Sequence, residues 1–75
     1  MKLDSTDLPG VGKKISLSLP EGDRVDVVTR TSGEREVYFF RRGDEEPAHT
    51  VCLDPAAACA LGVALCSALE PEAGR

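Results

Sequence analysis

Basic residues are in the minority in this 75-residue sequence, nine lysines and arginines against thirteen aspartates and glutamates, which leaves a net charge of −4. Long-range attraction to nucleic acid or to anionic lipid is therefore not expected. No run of about 18 apolar residues occurs, so direct membrane insertion through a helix is not expected either. The opening MKLDSTD has one lysine and no apolar stretch, which does not read as a secretory signal. Histidine occurs once and cysteine three times. An odd cysteine count argues against a disulfide framework and for a reducing compartment, so the expected location is cytoplasmic.

Internal repeats and low-complexity tracts are also missing. With 41% hydrophobic and 29% charged residues, the composition is that of one small folded domain. Such a chain buries a thin core, and an internal catalytic cleft is not expected without help from a partner. Cys52, Cys59 and Cys66 recur every seven residues, but two positions seven apart on a helix lie roughly 10 Å apart along its axis. One zinc ion with bonds of about 2.3 Å cannot bridge them, so buried, unreactive thiols are expected and no metal. His49 has no nucleophile context and reads as a strand-edge residue. The run Asp44, Glu45, Glu46 lacks the ligand spacing and turn glycine of a calcium loop and reads as solvated. With no acid–base pair or triad in view, no enzyme activity and no cofactor are expected.

What is present is a series of alternating segments. KKISLSL places Ile15, Leu17 and Leu19 on one face and serines on the other, which is the period of a half-buried strand. PEGD turns into RVDVVTR, TSGE turns into REVYFFR, and the acidic RGDEEPA leads to HTVCL. Asp54 and Pro55 then form a capping carboxylate followed by the residue best suited to the first helical position, with a helix expected from Pro55 to Leu69. The expected fold is α+β: an antiparallel four-stranded meander with one C-terminal helix, ββββα, as a single domain over residues 1–70. Residues 71–75 read as a linker or frayed tail.

The helix segment has no charged residue from Pro55 to Leu69. Leu61, Leu65 and Leu69 form one stripe, and Cys59, Val63 and Cys66 lie opposite. A helix apolar all round is normally buried on more than one side, which a 75-residue monomer can hardly provide. If the helix covers the sheet face of Ile15, Leu17, Val25, Val27, Val37 and Phe39, then Val28, Tyr38 and Phe40 remain open on the other. Exposed apolar patches on small domains mark contact sites. Self-association, with a homodimer expected, or docking to another chain follows.

TDLPGVGKK, residues 6–14, contains Gly-x-Gly-Lys, but it fails as a phosphate loop. The position five before Gly12 is Asp7, Lys14 stands where a hydroxyl should reach magnesium, and a strand rather than a helix follows. The third glycine of a dinucleotide fingerprint is absent too. A rigid Pro-Gly entry turn, anchored by Leu8 and Val11, is the better reading.

With these elements placed, the chain resembles the N-terminal domain of bacterial cation:proton antiporter regulatory subunits, of the kind that act on potassium/proton exchange. The resemblance rests on Leu8-Pro9-Gly10-Val11-Gly12-Lys13, the turn Gly22-Asp23, the valine-rich Val25 to Val28, the strand Gly33 to Tyr38, and the acidic Asp44 to Pro47. It covers essentially the whole chain. It implies a regulatory or coupling module that works by contact with a membrane antiporter subunit, on its cytoplasmic side and peripheral to the membrane through that transporter. The contact is expected at Leu8, Pro9, Gly10, Gly12 and Lys13, and on an apolar surface of Val28, Tyr38, Phe40, Val63 and Cys66. Alternatives are a standalone homodimeric structural module and a small nucleotide- or ion-sensing domain. Members of that family continue into a TrkA-C (RCK-C) domain, where a nucleotide such as cyclic di-AMP would bind. This sequence ends at Arg75, so no ligand site is carried over. Ala56, Ala57 and Ala58 also stand where the family helix begins with charged residues.

Overall fold

The computed structural model describes residues 1–67, which form one sheet and one helix. Strands β1 (Lys2–Leu8), β2 (Gly12–Ser18), β3 (Arg24–Arg30), β4 (Arg35–Phe40) and β5 (His49–Leu53) lie in sequential order, and α1 (Pro55–Cys66) follows. Every neighbouring pair is antiparallel, so the sheet is a pure meander. The α+β class stands, with five strands rather than four. The added strand is β1, over residues expected to be an opening loop. Its sequence, KLDSTDL, is rich in aspartate and serine, which are poor strand formers. It is held as an edge strand by pairing along its full length with β2, from Lys2↔Ser18 to Leu8↔Gly12.

The β1–β2 hairpin turns through Pro9, Gly10 and Val11. The Val11 N–H donates to the Leu8 carbonyl at 2.9 Å, and Gly10 has φ +79°. Proline at the second position and glycine with positive φ at the third make this a type II turn. Gly12 then starts β2 with φ +150°, and a Cβ there would fall inside the Thr29 carbonyl oxygen of β3. Only glycine lets the two backbones come this close.

Asp54 caps α1: its Oδ1 accepts from the Ala57 N–H at 2.7 Å, and Pro55 takes the first helical position. At the other end Ser67 Oγ donates to the Val63 carbonyl at 2.7 Å. The helix ends at Cys66, short of the expected end at Leu69, because the Ser67 backbone is already extended at ψ 134°; Leu69 itself and the tail at 71–75 lie outside the described residues.

The core is thin. Among the described residues only Val28 (9% exposed) and Val37 (6%) are buried apolar side chains, with Asp26 the one buried charge. The helix contributes none, because it packs against β5 alone to any extent and covers neither face of the sheet. Leu61, Val63 and Leu65 are all exposed. The cysteines differ from expectation in the same way: Cys52, Cys59 and Cys66 are exposed free thiols. Two of them sit on a helix that nothing covers, and Cys52 lies on the edge strand β5.

Candidate interaction surface

Strand register sorts the side chains into two faces with different chemistry, because cross-strand partners share a face. On one face a row runs Leu3, Leu17, Val25, Phe39 and His49 across all five strands. The next row runs Ser5, Ile15, Val27, Val37 and Val51, with Leu53 beyond it opposite Arg35. Nine apolar side chains thus form a continuous surface, which no described element covers. Phe39 is 40% exposed and Leu3 67%, while Val37 at the centre is buried among its neighbours in the sheet and the other six are half-buried. At one end of this face Lys13 Nζ stands 3.9 Å from Asp7 Oδ1, an exposed pair that adds little stability.

The opposite face is laced with charge. Arg24 Nε donates to Asp26 Oδ1 at 3.1 Å, and its guanidinium carbon lies 4.0 Å from the centre of the Phe40 ring. This bond gives the carboxylate of Asp26, buried between Ser16 and Tyr38, a cationic partner. Glu36 accepts from the Tyr38 hydroxyl at 2.7 Å and from Arg30 Nε at 2.8 Å. The Tyr38 hydrogen bond first, and the Arg30 bond second, hold the Glu36 carboxyl below its ordinary range. The same bond to Glu36 pushes the Tyr38 phenol up.

The residues expected to make contact divide into three places. Leu8, Pro9, Gly10, Gly12 and Lys13 come together on the β1–β2 hairpin tip, with Pro9, Gly10 and Lys13 exposed. Val28, Tyr38 and Phe40 share the charged face, where Lys14 and Glu36 flank Val28 and Arg24 stacks on Phe40. Val63 and Cys66 stand on α1, exposed and apart from that trio, since α1 meets β5 alone to any extent. The uninterrupted apolar surface is the other face, assigned from sequence to the shelter of the helix. Its signal was legible as Ile15, Leu17, Val25, Val27, Val37 and Phe39; what the sequence did not show is that the helix leaves them open.

The hairpin is not a phosphate cradle. Gly12 is occupied by its approach to Thr29, the Thr31 N–H donates to the Val11 carbonyl at 3.0 Å, and Lys13 points from a strand towards Asp7. His49 opens the edge strand β5, with its ring 6.3 Å from that of Phe39. The acidic residues Asp44, Glu45 and Glu46 are exposed. Among the described residues, no three histidine, cysteine, aspartate or glutamate side chains converge as a metal site, and no helix is long and apolar enough to cross a membrane. What the arrangement offers is contact surface: an open apolar sheet face, a charge-free helix and a rigid hairpin tip.

Comparison with known proteins gives a consistent result. A family model described as "K(+)/H(+) antiporter subunit KhtT, N-terminal domain" matches residues 1–69. The chain is 52% identical over 46 residues to the ammonium/H(+) antiporter subunit AmhM of Alkalihalophilus pseudofirmus, covering 61% of this chain and 28% of that protein. It is 31% identical over 55 residues to the K(+)/H(+) antiporter subunit KhtT of Bacillus subtilis, covering 72% of this chain and 33% of that one. The chain thus spans about a third or less of the length of these curated relatives.

Proposed function

Because the chain belongs to the family of the K(+)/H(+) antiporter subunit KhtT N-terminal domain, we propose that it is a coupling module of a cation:proton antiporter, acting through protein contact and without chemistry of its own. The observation that carries this reading is the pairing of an uncovered apolar sheet face with an exposed helix that bears no charge. Small domains that leave such surfaces open are built to have them covered. The relatives' names supply the kind of assembly, ammonium/H(+) and K(+)/H(+) antiporters.

On this reading the domain sits on the cytoplasmic side, peripheral to the membrane through the transporter. The hairpin tip from Leu8 to Lys13 is its rigid contact, since Pro9, Gly10 and Gly12 give it one backbone conformation. Regulation follows if the domain binds two states of the transporter with different affinity, because a ligand shifts an equilibrium only by its differential affinity. The test is co-expression with the antiporter and measurement of proton flux in everted membrane vesicles, driven by potassium or ammonium. Flux that changes on removing residues 1–75 supports the proposal; flux that stays the same for both cations sinks it.

A further inference from the structure

Along a strand between two antiparallel neighbours, residues bond alternately to one side and to the other, so a few bonds fix where every backbone group of the meander points. The Thr31 N–H donates to the Val11 carbonyl at 3.0 Å, and the Leu19 N–H to the Asp23 carbonyl at 2.8 Å. On β2 the odd-numbered residues therefore bond to β3, and Gly12, Lys14, Ser16 and Ser18 bond to β1. Their partners are Leu8, Thr6, Asp4 and Lys2. This leaves Leu3, Ser5 and Asp7 with N–H and C=O turned outward along the free edge of the sheet. The other edge is less open. The Arg30 N–H donates to the Glu34 carbonyl at 2.8 Å, and the same alternation sets His49, Val51 and Leu53 of β5 inward. Only Thr50 and Cys52 point outward there, on the strand against which α1 packs. β1 has no proline and no bulge, since each residue pairs in turn with one of β2. Such an edge is open to a further strand.

The side chains of β1 decide which strand can pair with it. Leu3 ends the apolar row that runs through Leu17, Val25 and Phe39. Asp4 and Asp7 stand on opposite faces of β1, with side chains 60% and 86% exposed. Lys2 and Lys13 lie 3.9 Å from them, in exposed pairs that hold little energy. A second copy of β1 fits poorly, because antiparallel pairing centred on Ser5 sets each Leu3 against the other strand's Asp7. An apolar residue beside Leu3 and cations beside the two aspartates fit well. We infer that β1 takes up an added antiparallel strand from another protein, a basic extended segment with an apolar residue opposite Leu3 and Lys or Arg opposite Asp4 and Asp7. The antiparallel sense continues the sheet and is slightly the more stable per residue. The source of the segment rests on the antiporter reading. Loops on the cytoplasmic side of membrane proteins carry an excess of Lys and Arg, and a chain of net charge −4 attracts them. The open edge itself does not depend on that reading.

The probe is the peptide TKTVRLT, capped at both ends, whose Lys, Arg and Leu fall opposite Asp7, Asp4 and Leu3 in antiparallel register. For a dissociation constant of about 1 mM, peptide at about 5 mM slows exchange of a newly bonded amide about sixfold. Hydrogen exchange of the whole chain, followed by NMR, is expected to slow by that factor at the Leu3, Ser5 and Asp7 amides. Asp4 and Thr6, already bonded to β2, are expected to be unaffected, and the acidic peptide TETVELT is expected to slow nothing. Ser5→Pro removes one outward N–H and leaves the bonds to β2 in place, a position where edge strands tolerate proline. Its circular dichroism is expected to match that of the unaltered chain, and the slowing at Leu3 and Asp7 to be lost. Asp4→Lys combined with Asp7→Lys is expected to respond to TETVELT in place of TKTVRLT. No slowing with TKTVRLT, equal slowing with both peptides, or slowing retained in a folded Ser5→Pro variant overturns the inference. Protection of the same three amides by raised chain concentration alone also overturns it, because the occupant is then a second copy. Peptide binding with unchanged antiporter flux keeps the edge and removes the antiporter as its source. Flux that changes without peptide binding keeps the antiporter reading and removes the edge.

Discussion

The two glycines of the hairpin tip are only two positions apart, yet alanine should cost much more at one than at the other. At Gly10, with φ +79°, a Cβ would meet nothing within 4 Å, so Gly10→Ala incurs only the left-handed backbone penalty, roughly 1–2 kcal/mol. At Gly12, φ +150° brings strain of about 1–3 kcal/mol, and the new Cβ is driven into the Thr29 carbonyl besides. The clash is with backbone, so relief requires β2 to part from β3 at the Gly12↔Arg30 pair. The neighbouring bond from the Thr31 N–H to the Val11 carbonyl is then lost too, about 1 kcal/mol more. Gly12→Ala should therefore cost about 2–4 kcal/mol. In a domain of this size each kcal/mol moves Tm by about 4–8 °C, so Gly10→Ala lowers it by roughly 4–16 °C and Gly12→Ala by roughly 8–32 °C. Thermal unfolding at one fixed protein concentration measures both, because association would otherwise shift Tm. Equal losses, or a larger loss at Gly10, would refute the role given to the Gly12–Thr29 approach.

Asp54→Ala should cost about 1 kcal/mol and lower helicity by circular dichroism, whereas Asp54→Asn keeps the cap and most of the stability. Glu36 titrates below its ordinary value in the fold, so the stability it contributes is fully present above the unfolded value near 4.3. That contribution is lost as pH falls through the lower folded value. Tyr38→Phe removes the main cause of the depression, and carboxyl-carbon NMR should show the Glu36 pKa rising; an unchanged pKa counts against the assigned bond. Lys13→Glu should leave Tm within about 3 °C, since the Asp7 pair is exposed and surface ion pairs contribute little. Any loss of antiporter flux in that variant then reports contact rather than folding.

The four strands with clear alternation, and the Asp54-Pro55 helix start, were legible in the sequence because side-chain period and capping chemistry are local properties. Strand β1 was not, since its aspartates and serine disguise a strand that only pairing with β2 stabilises. A signal was nonetheless available in the turn: Leu8-Pro9-Gly10-Val11-Gly12 is hairpin chemistry, and a hairpin implies a strand before the turn as well as after it. The buried-thiol expectation for Cys59 and Cys66 assumed that an apolar helix finds cover within its own chain. The uncovered apolar surface was half legible for the same reason. Both sets of sheet residues were sorted to their faces correctly, but the face expected to be sheltered by the helix is left uncovered as well.

Local sequence by itself settled which residues alternate, where chains turn, where the helix is capped, and the family to which the Leu8–Lys13 stretch points. Those depend on neighbours within a few positions, whose steric and hydrogen-bonding demands do not wait for the rest of the fold. The direction in which α1 leaves the sheet depends on one residue, Asp54, held between an extended strand and a capped helix with Pro55 packed against a distant turn. That is a relation between elements rather than within one, so only the tertiary structure decided that the helix covers nothing in its own chain and that the apolar sheet face stays open.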